Sequence, residues 1–271
     1  MLLAIAIMFL GYCGGSLIYT AYGSIITNFG WKIDIESEWV GMTVKFTVFL
    51  IILLIAKYFG IYPKIKWGFK RTYIGLIAGA YIVIYSLVSL YCCHMIYDMN
   101  GIRPIWSQYF TELLYYMFVG LEEEFWFRGV VYTIFKSKFP KTNRLYLIAG
   151  QAICFGLFHS FNYFAGYLPL VYSIKQVIIA TAIGFIMGLS YELSGSLVSV
   201  IFMHGFYDFV LIAPFCFEGA AKYVYPKGAV EYTLMILISL VIQAFAITLW
   251  QIVEIRKEES KREKTKANAI I

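Results

Sequence analysis

Stretches of about 20 apolar residues recur along almost the whole chain, and each is long enough to cross a lipid bilayer as a helix. Eight stretches can be marked, at residues 2–27, 39–60, 73–97, 107–135, 145–164, 168–192, 196–214 and 230–253. Of the 271 residues 61% are hydrophobic and only 14% are charged, where a soluble domain carries about 25% charged residues. The charges fall between and after the apolar stretches, so the pattern predicts an all-α, polytopic membrane helix bundle. One transmembrane helical domain is expected over residues 1–253, with a core at 107–214 that bears the polar motifs. Residues 254–271 read as a basic cytoplasmic tail. No internal repeat interrupts this plan, and it leaves no room for a large soluble domain. The first stretch lacks the charged start and the cleavage site of a signal peptide, so it is read as a helix.

Positive charge sets the expected orientation. Lys57, Lys64, Lys66, Lys70 and Arg71 lie between the second and third stretches, and Lys136, Lys138, Lys141 and Arg144 between the fourth and fifth. Arg256, Lys257, Lys261, Arg262, Lys264 and Lys266 follow the last. Eight helices with both ends in the cytoplasm place all of these on one side. The other side receives only Lys32, Arg103, Lys222 and Lys227, with an acidic loop at Asp34, Glu36 and Glu38. An integral protein of the cell membrane is expected. The net charge of +6 is accounted for by these loops, so no nucleic-acid partner is implied. The tail reads as a solvated segment near anionic lipid. Five cysteines, Cys13, Cys92, Cys93, Cys154 and Cys216, form no CxxC pair and read as small apolar filler.

Against this apolar background six polar or ionisable side chains stand out: Glu123, Glu124, Arg128, His159, His204 and Asp208. Each is costly to bury in lipid, which argues for one shared site. Their depths agree. At 1.5 Å per helical residue, Glu123 lies roughly 20 Å from Lys136, His159 roughly 22 Å from Arg144, and His204 and Asp208 roughly 14 and 20 Å from Gly195. Three helices can therefore present them to one cavity. Glu124 and Arg128 are four apart and share a face, as do Phe155 and His159, and His204 and Asp208. An ion pair between Glu124 and Arg128 offsets the cost of a lone arginine. Glu123 lies about 100° around the helix and is free to face something else.

A glutamate withdrawn from water is suited to general base work near neutral pH. One histidine beside it can help hold a water, and a second can donate to a developing oxyanion. Together these suffice for water-mediated amide hydrolysis with no covalent intermediate and no cofactor. The alternative is zinc, since two His and one Glu form a catalytic set. Its ligands would be Glu123, His159 and His204, drawn from three helices, and no HExxH is present. A serine mechanism finds no GxSxG. The Tyr-Asp pairs at 97–98 and 207–208 have no GxGD beside them, which speaks against an aspartyl dyad.

These residues resemble the CAAX protease and bacteriocin-processing family of intramembrane endopeptidases, which is related to type II CAAX prenyl endopeptidases. The family's EExxxR motif reads Glu123-Glu124-Phe125-Trp126-Phe127-Arg128, and only this register of the Glu122–Glu124 run gives the arginine spacing. FxxxH reads Phe155 to His159, and the third motif, HxxxN or HxxxD, reads His204 to Asp208. The resemblance covers roughly residues 107–210. It implies an eight-helix fold and an endopeptidase acting on lipidated or hydrophobic peptides from the cytoplasmic side. It also implies that Glu123 activates water with the help of His159, while His204 and its fourth neighbour stabilise the oxyanion. Prenyl-protein members tend to carry Asn where this chain has Asp208. An ionised Asp cannot donate a hydrogen bond, so Asp208 either stays protonated or orients His204 and keeps it cationic.

Competing readings are a non-enzymatic bacteriocin-immunity or scaffolding membrane protein, and a proton or ion transporter. The broken helix pairs typical of carriers are not evident. His94 reads as structural, Lys45 and Lys175 as snorkelling or paired, and Glu192 as solvated. The partners expected are membrane lipid and a peptide or lipidated protein.

Overall fold

A computed structural model describes residues 17–25, 28, 37–219, 245–261 and 264–265. Helix dominates, and among the described residues the only strand-like pairing is an isolated bridge between Pro104 and Phe217. The helices are α1 (residues 17–25), α2 (Glu38–Tyr58), α3 (Thr72–Ala78), α4 (Ala80–Met99) and α5 (Trp106–Glu124). A π-helical segment, Phe125–Val131, joins α5 to α6 (Tyr132–Lys138). Then follow α7 (Arg144–Phe158), α8 (Phe161–Phe164), α9 (Leu170–Ser194), α10 (Leu197–Ile212) and α11 (residues 245–261).

Among the described residues, five helical stretches are long and apolar enough to cross a membrane: Glu38–Tyr58, Ala80–Met99, Arg144–Phe164, Leu170–Ser194 and Leu197–Cys216. They correspond to the second, third, fifth, sixth and seventh stretches of the sequence. The fourth is helical from Trp106 to Lys138 but carries too much charge to qualify by composition. Most of the first and last stretches lies outside the described residues. The all-α polytopic bundle is thus observed, with five span-capable helices among the described residues and the first and last expected spans lying largely outside them. Two stretches are also less regular than expected. The third is broken at Gly79 between α3 and α4, and the fifth ends its main helix at Phe158.

Lipid tails are as apolar as the side chains, so helices in a bilayer associate through close packing at small residues. The bundle does this at the two interfaces that carry the polar motifs. A Cβ on Gly120 of α5 would lie 2.7 Å from the Ile201 carbonyl oxygen and 2.9 Å from the Gly205 nitrogen of α10. A Cβ on Gly205 would lie 2.6 Å from the Tyr116 carbonyl oxygen. Nothing larger than hydrogen fits at that crossing. Between α7 and α9, a Cβ on Gly184 would meet the Phe155 ring at 2.9 Å, and one on Gly188 would meet Ile148 at 2.8 Å. Phe125, Trp126 and Phe127 fill the space between these pairs and are fully buried.

The turn between α9 and α10 is the tight hairpin expected at Ser194-Gly195-Ser196. Gly195 adopts φ 62°, a left-handed conformation that glycine reaches without steric cost. Ser196 caps α10, its hydroxyl accepting from Ser199 N at 3.2 Å. The Lys66 and Trp67 carbonyls accept from Leu197 N and Val198 N, so the segment after α2 closes the end of α10. On the far side, α11 runs unbroken past residue 254, and Ile255 is buried. Gln251 of this helix donates to the Ala78 carbonyl and to Ser190 Oγ.

Candidate active site

The EExxxR stretch straddles a change of helix type. Glu123 and Glu124 end α5, and Arg128 lies in the π-helical segment, a kind of distortion that recurs at functional sites. Arg128 nevertheless reaches back as its spacing predicts, donating from Nη1 to Glu124 Oε1 at 2.7 Å. Both side chains are wholly buried. Arg128 Nη2 donates to the Gly184 carbonyl at 3.1 Å, and the guanidinium lies over the Phe155 ring at 4.4 Å. The absence of a side chain at Gly184 opens this approach to α9.

His204 arrives from α10 across the Gly120–Gly205 crossing. Its Nδ1 lies 2.7 Å from Glu124 Oε1, so one carboxylate oxygen holds both the arginine and the histidine. On the other edge of the ring, Nε2 lies 3.2 Å from Asp208 Oδ2 and 3.8 Å from Glu123 Oε2. Both ring nitrogens thus face carboxylate oxygens, an arrangement fully satisfied by the doubly protonated imidazolium. Glu123 differs from its neighbour. Its side chain is only 11% exposed, and Oε2 accepts no hydrogen bond among the described residues.

His159 stands at the end of α7, with Nδ1 3.0 Å from the Phe155 carbonyl. A carbonyl only accepts, so Nδ1 is the donor of this contact and Nε2 points away from it. Phe155 links the two histidines, with its ring centroid 4.9 Å from His159 and 5.7 Å from His204, edge to face in both cases. The structure therefore brings Glu123, Glu124, Arg128, His204 and Asp208 into one connected cluster. His159 joins it through an aromatic ring. No hydrogen bond or ion pair ties His159 to Glu123 among the described residues.

Three further side chains find partners outside the cluster. Glu122 pairs with Lys45 of α2 at 3.0 Å, which accounts for the third glutamate of the run and for the lysine inside a span. Glu192 is not the solvated residue expected. Its carboxylate takes Tyr132 Oη at 2.9 Å, Lys136 Nζ at 2.9 Å and an Arg144 Nη1 contact, and it is 6% exposed. His94 is structural as expected, its Nε2 lying 3.1 Å from Tyr109 Oη within an aromatic cluster. The charge patterns on α5 and α9 carry no local sign of these long-range partners.

As to metals, no group of three His, Cys, Asp or Glu side chains is gathered at metal-binding distance among the described residues. Glu123 and His204 approach one another at 3.8 Å, and His159 contacts the Phe155 ring that also packs on His204.

No curated protein and no solved structure matches the chain. A family model does match, over residues 105–210, and its description is Type II CAAX prenyl endopeptidase Rce1-like. The matched stretch begins just before α5, ends in α10, and contains all six clustered residues. It supports peptidase activity of the CAAX type in a membrane-embedded chain. The segment that builds this buried polar cluster is therefore Rce1-like, in agreement with the family that its three motifs resemble.

Proposed function

We propose that the chain is an intramembrane endopeptidase that hydrolyses peptide bonds of lipidated or hydrophobic peptides with water activated by Glu123. The observation that carries this reading is the contrast between adjacent carboxylates. Glu124 Oε1 is committed to Arg128 and His204, whereas Glu123 Oε2 is buried, accepts no hydrogen bond among the described residues and lies 3.8 Å from His204 Nε2. A general base needs that freedom, together with hydrogen-bond reach to the proton it removes.

On this reading, Glu123 takes a proton from a water whose position is shared with His159 Nε2. The resulting hydroxide attacks the scissile carbonyl carbon. His204 Nε2–H donates to the oxyanion that forms, and Asp208 keeps the ring charged and oriented. Collapse of the tetrahedral intermediate breaks the C–N bond, and Glu123 returns its proton to the departing amine. Arg128 and Glu124 touch no reacting atom. They hold His204 through Nδ1.

The lysine-rich loops and the buried cluster also support a cell-membrane location with both termini in the cytoplasm, and substrate entry from that side. Co-expression with candidate lipidated peptides, followed by mass spectrometry of the products, tests the proposal. The wild type is expected to yield two fragments and Glu123→Gln none, with both proteins inserted equally. Fragments of equal yield from both would refute it. A chelator arm decides the metal question: activity through Glu123 alone survives removal of divalent metal, and a zinc mechanism does not.

A further inference from the structure

We propose that a cleft at the lysine-rich end of the bundle, outside the polar cluster, binds a phosphate-bearing anion, either a phospholipid headgroup or free phosphate. The cleft has a volume of about 240 Å³ and is lined by Lys64, Lys66, Tyr132, Thr133, Lys136, Ser137, Tyr191, Glu192 and Gly195. It therefore has room for a phosphate group. None of these residues belongs to the active-site cluster, and Thr133 lies five residues beyond Arg128 along the chain.

The charge in the cleft is unbalanced. Three ammonium groups, Lys64, Lys66 and Lys136, face a single carboxylate, Glu192. That carboxylate is already shared by Lys136, Arg144 and the Tyr132 hydroxyl. Lys64 and Lys66 form no ion pair among the described residues. Two unpaired lysines beside a neutralised glutamate present net positive charge to whatever enters, and the Thr133 and Ser137 hydroxyls add polar groups to the wall. Lysine binds phosphate as a point charge. Basic pockets between transmembrane helices on the cytoplasmic side are suited to anionic headgroups.

The cleft also joins three parts of the bundle. Lys64 and Lys66 come from the segment after α2, Lys136 from α6, and Gly195 from the turn that starts α10. α6 continues the helix that carries Glu123 and Arg128, and α10 carries His204. A bound anion would hold the ends of these elements together.

The test uses the full chain in nanodiscs with equal parts phosphatidylcholine and phosphatidylglycerol, followed by native mass spectrometry of retained lipid. Wild type is expected to retain phosphatidylglycerol in preference. Lys64→Gln/Lys66→Gln, which removes two surface charges, should lower that affinity about thirtyfold. A second arm adds inorganic phosphate to protein in neutral detergent and reads Tm. A rise in wild type and none in the double variant, without lipid preference, identifies the free anion as ligand. The proposal is overturned if wild type shows neither preference nor stabilisation, or if the double variant responds as wild type does. Should the double variant not fold, displacement of phosphatidylglycerol from wild type by added phosphate decides instead, and failure to displace refutes the proposal.

Discussion

Arg128→Met removes the positive partner of a carboxylate that has no access to solvent. Arg128 and Glu124 are both 0% exposed, and their contact is 2.7 Å. The methionine preserves much of the side-chain volume, so the loss is chiefly electrostatic. Breaking a buried pair by removing one member costs about 3–5 kcal/mol, because the other charge is left uncompensated. For a chain of this size that corresponds to a fall in apparent Tm of roughly 6–20 °C. Adding Glu124→Gln to Arg128→Met gives the sharper test. The glutamine is neutral and its carbonyl oxygen can still accept from His204 Nδ1. The double variant is therefore expected to be more stable than Arg128→Met alone, although it has lost more charged groups. The assay is thermal unfolding of the four proteins of the cycle in one detergent. Additive losses, or a double variant less stable than Arg128→Met, would refute the reasoning.

Four further outcomes follow from the same geometry. Gly205→Ala places a methyl group 2.6 Å from the Tyr116 carbonyl oxygen; it should cost about 1–3 kcal/mol by overpacking, with loss of cleavage as α5 and α10 part, both read by Tm and product yield. Lys45→Met leaves Glu122 buried without its cation; Tm should fall, and Lys45→Met/Glu122→Gln should restore most of the loss. His204→Ala removes the proposed oxyanion donor and should lower kcat about 10²–10³-fold, with little change in peptide binding measured separately. Asp208→Asn keeps the shape but removes the charge facing Nε2 at 3.2 Å; kcat should fall while KM stays near wild type, and an unchanged kcat would deny Asp208 a part in holding His204.

Much of the site was legible in the sequence because its spacing is local. Glu124 with Arg128, Phe155 with His159 and His204 with Asp208 each lie one helical turn apart, and the helix brings the first two pairs together and sets the third at 3.2 Å. The three helices whose depths agree in the sequence do meet, through Glu124 with His204 and Phe155 with His204. What could not be read is what depends on neighbouring helices. Nothing near Glu122 announces Lys45, which lies 77 positions earlier in the chain. Glu192 was placed in solvent because it ends a span, yet Tyr132, Lys136 and Arg144 converge on it from α6 and α7. The π-helical turn at Phe125–Val131 leaves no mark in an apolar run, since every face of that segment is buried. His159 turned its Nδ1 to its own helix, an option open to any residue four positions after a carbonyl.

The central claim is that Glu123 performs the chemistry while Glu124 holds the scaffold, and single-turnover cleavage by Glu123→Gln measures it most directly. The account predicts a rate lower by about 10²–10⁴-fold, the usual worth of a general base, at unchanged Tm and unchanged peptide binding. Cleavage within a few-fold of wild type by a folded Glu123→Gln protein would contradict it.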